Sequence, residues 1–346
     1  MNKQAHYSYR LKTESCWLHT LRKPEFSFSP SDHYNGEEFF NYVAHPAGYR
    51  RRDLIKWLYS RKPLPWEEEN TQTEIPAHAG PQNRPHASMD DWQVWFIGHA
   101  TVLIQIGPYN FLTDPVWADY VSPQQGTGPK RSCTAGIALE QLPEIHAVLL
   151  SHNHYDHMDL ATLRWLHKKF AMPIYTGLGN SFYLPKKFQV IEMDWWQAAL
   201  LHKFQIVYTP AQHGSGRGLR DRNRALWGGF SIIHETGHCF FAGDTGYSPH
   251  FKQIHAELGA PRIALLPIGA YEPRELMQYM HMNPQEAFQA HLDLAPRRSL
   301  AIHYRTFQLT DEGREQPEQD LNIAMQNSSK LLGPFYCIRE GRRLIV

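Results

Sequence analysis

Residues 147–157 read Ala147-Val-Leu-Leu-Ser-His-Asn-His-Tyr-Asp-His157, four apolar residues running straight into a His-x-His-x-Asp-His array. A short apolar run bounded by polar residues is the pattern of a buried strand, and the array starts at the mouth of the loop that follows it. Four side chains able to ligate a metal fall within six positions. Residues two apart point the same way at a strand end, so His152 and His154 can grip one ion while Asp156 and His157 turn toward a second. Imidazole nitrogen and carboxylate oxygen suit Zn²⁺ and, less selectively, Fe or Mn, provided that every ligand is unprotonated. In a chain of 346 residues with 21 histidines, such an array is expected by chance roughly 0.003 times. Composition alone does not produce it.

A dinuclear site needs about three more ligands to close, and the sequence offers them at further strand ends. Gln212-His213-Gly214 follows the strand predicted over Gln205–Thr209, Gly243-Asp244-Thr245 follows Cys239–Ala242, and His303 follows Ser299–Ile302. Loop residues after such strands gather at one edge of a sheet. Other strands are predicted at Val94–Ile97, Thr101–Ile106, Asn110–Thr113, Gly229–Ile233 and Ile263–Pro267, from β-branched and aromatic runs between Gly, Pro and Asp turns. Leu160, Leu163, Leu166 and Phe170 have helical spacing within Met158–Phe170. A second helix is predicted over Asn283–Leu294, where Asn283 can cap, Pro284 fits the first turn and Glu286 stands three residues after the cap. Strands and helices alternate loosely with hairpin-like pairs, so an α/β architecture of two mixed sheets covered by helices is expected.

Residues 1–88 have a different texture, with few apolar runs, Arg50-Arg51-Arg52, Glu67-Glu68-Glu69 and a Pro-rich stretch through Pro76, Pro81 and Pro85. They read as an N-terminal extension and linker ahead of the main domain over residues 89–346. Thirty-five basic against 34 acidic residues leave a net charge of +1, which supplies no overall field for a polyanion, so nucleic acid is not the expected partner. Mean hydropathy is −0.52, the apolar stretches are too short to span a bilayer, and the first residues lack the apolar core of a secretory signal. A cytoplasmic protein is expected. The four cysteines, Cys16, Cys133, Cys239 and Cys337, are too far apart for a thiolate zinc site or a disulfide framework.

These motifs resemble the metallo-β-lactamase superfamily, and within it the N-acyl-phosphatidylethanolamine-hydrolysing phospholipase D family. The strings that carry the resemblance are Gly98-His-Ala-Thr-Val, Leu112-Thr-Asp-Pro, Gly128-Pro-Lys-Arg, Ser151-His-Asn-His-Tyr-Asp-His, Asp194-Trp-Trp, Phe241-Ala-Gly-Asp-Thr-Gly-Tyr, Pro267-Ile-Gly-Ala-Tyr-Glu-Pro-Arg and Ala301-Ile-His. They run in order from about Trp92 to Phe307. The His-x-His-x-Asp-His array marks only the superfamily; the Pro-Ile-Gly-Ala-Tyr-Glu-Pro-Arg string and the Asn-His-Tyr variant are more specific. The resemblance implies an αβ/βα four-layer sandwich with an N-terminal extension and two Zn²⁺ along one sheet edge. It puts His152, His154 and His213 on one ion, Asp156, His157 and His303 on the other, with Asp244 bridging. Asp114 matches a family carboxylate that would accept a hydrogen bond from a ligand's free N–H, the alternative being a simple turn aspartate. His281 matches a family histidine near the site and reads as a substrate or supporting contact. Met280 and Tyr304-Arg305 depart from the family pattern, as do most of the first 90 residues apart from Phe39-Phe40-Asn41.

The implied activity is that of a zinc-dependent phosphodiesterase of the phospholipase D type, in which hydroxide made available by two divalent ions attacks phosphorus. Asp156, Asp244, Asp114 and His281 are its candidate catalytic groups. No Gly-x-Ser-x-Gly elbow offers a serine mechanism. A metallo-β-lactamase-fold hydrolase of another ester, lactone or lactam would use the same residues. The segment Gly48–Pro63, with Arg50, Arg51, Arg52, Lys56, Arg61 and Lys62 around Leu54, Ile55, Trp57, Leu58 and Tyr59, reads either as an interfacial basic helix giving peripheral contact with a phospholipid surface or as a helix packed on the catalytic domain.

Overall fold

The computed structural model describes residues 23–26, 28–44, 56–57, 59–66, 80–124, 126–328 and 333–346. Among them, fourteen strands form two seven-stranded sheets. The first sheet contains β1 (Trp92–Gly98), β2 (Thr101–Ile106), β3 (Tyr109–Thr113), β4 (Ala147–Leu150), β5 (Ile174–Gly177), β6 (Val190–Met193) and the late strand β14 (Arg343–Ile345), in the order β14-β1-β2-β3-β4-β5-β6. The second contains β7 (Ala198–Leu201), β8 (Phe204–Thr209), β9 (Gly229–His234), β10 (Gly237–Phe241), β11 (Ile263–Pro267), β12 (Ser299–Ile302) and β13 (Phe335–Tyr336), in the order β13-β12-β11-β10-β9-β8-β7. Each sheet is antiparallel at one end and parallel at the other. Pairing is antiparallel from β14 to β3 and parallel from β3 to β6, and likewise antiparallel from β7 to β10 and parallel from β10 to β13.

Side-chain alternation assigns the two faces of the first sheet. Val94 and Phe96 join Phe204, Ile206, Phe230 and Phe240 in the core between the sheets. Trp95 and Ile97 point the other way, into a second cluster with Leu163 and Leu166 of the helix Leu160–Phe170. The helices His250–Leu258 and Pro284–Leu294 close the outer face of the second sheet through Phe251, Ile254, Ala287, Ala290 and Leu294. The result is the expected four-layer αβ/βα sandwich.

Local chemistry sets the helix ends. Asp159 accepts from the N–H groups of Ala161 and Thr162, so the first helix starts two residues later than the apolar spacing predicts. Asn283 Oδ1 accepts from Glu286 N–H at 2.8 Å, and Glu286 Oε2 accepts from Asn283 N–H at 3.1 Å, the expected capping box.

Part of the region preceding β1 lies on the sandwich. Tyr34 and Phe39 are buried in the main core. Trp57 donates its indole N–H to Asp311 at 2.6 Å, Arg61 pairs with the same carboxylate at 3.0 Å, and the Arg61 guanidinium lies over the Trp57 ring. These two residues of the basic segment face the domain, whereas Tyr59 is exposed. Arg50, Arg51, Arg52, Leu54, Ile55 and Leu58 lie outside the described residues.

Candidate metal centre

The C-terminal ends of the strands supply the site. The loop after β4 carries His152, His154, Asp156 and His157; β8 leads to His213, β10 to Asp244 and β12 to His303. All seven are buried apart from the half-buried His154.

They converge as two groups that share one carboxylate. His154 Nδ1 lies 2.8 Å from His152 Nε2 and 3.2 Å from His213 Nε2. Nitrogen ligands at the corners of a tetrahedral zinc site would be about 3.3 Å apart. In the other group, His157 Nε2 and His303 Nε2 lie 3.3 and 3.4 Å from Asp156 Oδ2. Asp244 Oδ2 stands between the groups, 3.0 Å from His157 Nε2, 3.1 Å from His303 Nε2, 3.7 Å from His213 Nε2 and 4.0 Å from His152 Nε2.

The donor set fits divalent cations. Asp244 Oδ1 is buried without a hydrogen-bond partner, and an orphaned polar atom at the focus of a site calls for a ligand. Burial pushes the pKa of His154 down to about 4 and that of His213 down to about 3, which leaves neutral imidazoles with lone pairs to offer. Burial would raise the carboxyl pKa values of Asp156 and Asp244, but the surrounding imidazoles hold both well below the usual carboxylate range.

Outer contacts fix the ring tautomers. Asp114, at the end of β3, accepts from Ser151 N–H at 2.7 Å, Ser151 Oγ–H at 2.5 Å and His157 Nδ1–H at 2.6 Å. Ser151 Oγ in turn lies 2.8 Å from His152 Nδ1. Asp114 is therefore more than a turn residue: one buried carboxylate orients an imidazole in each group. His213 donates Nδ1–H to the carbonyl of Met280 at 2.8 Å, a contact made by backbone, so the unexpected side chain at 280 leaves it intact. His281 stands at the edge of the cluster, its Nδ1 without a partner and 4.0 Å from Asp244 Oδ2.

His99, in the turn between β1 and β2, completes the group and was missed from the sequence. Its Nε2 lies 3.0 Å from Asp156 Oδ2, its carbonyl accepts from His303 N–H at 2.8 Å, and its ring is 4.0 Å from that of His303. The signal was a histidine straight after the apolar β1, in the string Gly98-His-Ala-Thr-Val, but only the packing of one sheet on the other brings the end of β1 beside the end of β12. His99, Asp114 and His303 hold φ of 57°, 30° and 60°, the left-handed region that non-glycine residues avoid. Gly243, before Asp244, also has φ 62°, and a Cβ there would meet that of Ser151 at 2.7 Å.

The loops after β4 and β8 interlock through residues outside the seven-residue cluster. Asn153 Oδ1 accepts from Gly216 N–H at 2.8 Å, and Tyr155 Oη–H donates to the Arg217 carbonyl at 2.8 Å. Arg217 donates to the carbonyls of Asn153 and Met158 at 2.8 and 2.9 Å, and its guanidinium stacks 3.9 Å from the centre of the Tyr155 ring. This accounts for asparagine and tyrosine at the variable positions of the array.

Comparison with known proteins agrees with this geometry. Residues 109–304 match the model of the Beta-lactamase superfamily domain. The chain is 33% identical over 305 residues to the N-acyl-phosphatidylethanolamine-hydrolyzing phospholipase D 1 of Caenorhabditis elegans, covering 84% of this chain and 85% of the nematode protein. It is 38% identical over 240 residues to an uncharacterised protein of Mycobacterium tuberculosis, a match that covers 67% of this chain and 63% of the mycobacterial one. Among solved structures, an isothiocyanate hydrolase from Delia radicum gut bacteria superposes with a TM-score of 0.58 at 20% identity, covering 73% of this chain and 98% of that one. A metallo hydrolase from Ignicoccus hospitalis does so with a TM-score of 0.57 at 21% identity, covering 74% and 98%. The structures share the fold, the nematode relative shares sequence along most of both chains, and the chain belongs to the metallo-β-lactamase superfamily, in the family of the N-acyl-phosphatidylethanolamine-hydrolysing phospholipases D.

Proposed function

We propose that this protein is a phosphodiesterase of the phospholipase D type that holds two Zn²⁺ and acts on N-acyl-phosphatidylethanolamine-like phospholipids. The observation that carries the reading is the pair of three-residue ligand groups around Asp244 Oδ2, in a chain related over most of its length to the nematode enzyme. His152, His154 and His213 would hold one cation, Asp156, His157 and His303 the other, with Asp244 between them. Cations held there supply Lewis acidity toward a phosphoryl oxygen and lower the pKa of water toward neutrality.

The remaining groups have separable tasks. Asp114 keeps His157, and through Ser151 also His152, in the tautomer that offers Nε2. His281, with Nδ1 unpartnered and burial holding its pKa at about 3, presents a neutral imidazole to a substrate oxygen. His99 helps to hold Asp156, its Nε2 lying 3.0 Å from the same Oδ2 that faces His157 and His303. Peripheral contact with a phospholipid surface, through the basic segment 48–63, is part of the same proposal; among the described residues no helix is long and apolar enough to cross a membrane.

The test is hydrolysis by the purified full chain of a vesicle-borne N-acyl-phosphatidylethanolamine, a soluble aryl phosphodiester, a lactone and a β-lactam, with the first repeated in ¹⁸O water. The expected result is turnover of the phospholipid with label in the phosphate product. Turnover confined to lactone or lactam would replace this reading with the other superfamily chemistries. Label in the alcohol product would show attack at carbon.

A further inference from the structure

We propose that Asn41 is a positioning residue of the metal centre, its carboxamide holding the backbone of His213 on both polar sides. The proposal rests on the reading of the centre as a cation site. Asn41 Nδ2–H donates to the His213 carbonyl at 2.8 Å, and Asn41 Oδ1 accepts from His213 N–H at 3.0 Å. The same oxygen accepts from the Trp227 indole N–H at 3.0 Å. His213 has left β8 and, among the described residues, has no neighbouring strand to pair with. The carboxamide does the work of one, because it alone among small side chains offers a donor and an acceptor in one plane.

Asn41 belongs to an arm that precedes the matched domain by many residues, yet the arm is seated firmly. His33 lies between Asp32 and Asp194, 2.6 Å from each, with its ring stacked 4.4 Å from that of Trp195. Phe39 N–H donates to the Asn223 carbonyl at 2.8 Å, and Asn223 Oδ1 accepts from Ser215 N–H at 3.2 Å, two residues past His213. Gln212 Nε2–H donates to the Val43 carbonyl at 2.7 Å. The arm therefore grips the ligand loop before, at and after His213, while the carbonyl of Met280 sets the tilt of the ring. Backbone from Asn41 and ring from Met280 together fix where Nε2 points.

The experiment is stepwise Co²⁺ titration of the metal-stripped full chain, read by visible absorption and calorimetry, for wild type, Asn41→Ala, Asn41→Asp and Phe40→Ala. Asn41→Asp is nearly isosteric and keeps the acceptor for Trp227, but sets a carboxylate oxygen against the His213 carbonyl. Both Asn41 variants are expected to weaken one Co²⁺ step by about 10- to 100-fold and to leave the other step unchanged. Phe40→Ala, an exposed neighbour on the same arm, is expected to leave both steps as in wild type. If Asn41→Ala loses its near-ultraviolet signal, Asn41→Asp alone decides. Two steps identical to wild type in the Asn41 variants overturn the proposal, and so does equal weakening by Phe40→Ala, since the arm as a whole would then set affinity. A wild-type chain that takes up no Co²⁺ overturns the cation-site reading together with the proposal.

Discussion

Oδ2 of Asp114 lies 2.6 Å from Nδ1 of His157, and both side chains are fully buried. Since Asp114 also receives the amide and hydroxyl hydrogens of Ser151, every donor around it is matched to a carboxylate. Asp114→Asn turns one of those acceptors into a donor that must face Ser151 or His157. Metal affinity or activity is expected to fall about 10- to 100-fold with the fold retained. Isothermal titration and circular dichroism check both halves of that statement, and unchanged affinity would return Asp114 to the role of a turn residue.

Asp244→Ala removes the oxygen that stands within 4.0 Å of imidazoles from both groups. The expected outcome is loss of both cations, not one. Elemental analysis under metal-replete conditions gives the count directly, and a variant that still holds two ions at wild-type affinity would mean that Asp244 bridges nothing. Wild type is expected to hold two, because seven candidate ligands exceed the four of a closed structural zinc site.

Legibility in the sequence followed chain distance. His152, His154, Asp156 and His157 stand together, so spacing was enough; His213, Asp244 and His303 could be placed because each follows an apolar run. The capping box of Asn283 and Glu286 is likewise local. His99, Asn41 and Arg217 act on residues that are remote in the chain, and no periodicity encodes a contact made by tertiary packing. Short strands escaped for another reason. β7 is half exposed along its length and β14 has only three residues, so neither presents the buried alternation by which a strand is read.

Metal uptake is expected to strengthen as pH rises through the neutral range. Burial alone would lower the pKa of His303, but the carboxylates of Asp244 and Asp156 push it up to about 9 in the cation-free protein, and His157 is raised for the same reason. Below those values an entering cation must displace a proton, which costs affinity up to about tenfold per pH unit for each proton released. Co²⁺ dissociation constants measured between about pH 6 and pH 8 give the slope. A flat profile would mean that the ring nitrogens are already free.

Charge reversal at Arg50, Arg51 and Arg52 is expected to weaken binding to anionic vesicles, each cation near such a surface contributing about 1 kcal/mol, and to slow turnover of vesicle-borne phospholipid. Hydrolysis of a small soluble diester should stay intact, because the change leaves every ligand of the centre alone. Vesicle co-sedimentation and the two rates, measured side by side, separate the cases. Equal loss on both substrates would show a segment that supports the fold, and unaltered sedimentation would place membrane contact elsewhere.

The paired architecture of the sheets has a consequence for where the centre resides. A cut in the chain between β6 and β7 would leave His152, His154, Asp156 and His157 on one piece and His213, Asp244 and His303 on the other. Each proposed ion would then have two of its ligands on the first piece and one on the second, and the shared carboxylate also falls on the second. Neither piece owns a coordination shell. Cations bound there would rivet the two halves together, and their uptake would report the docking of the halves as much as the presence of seven side chains.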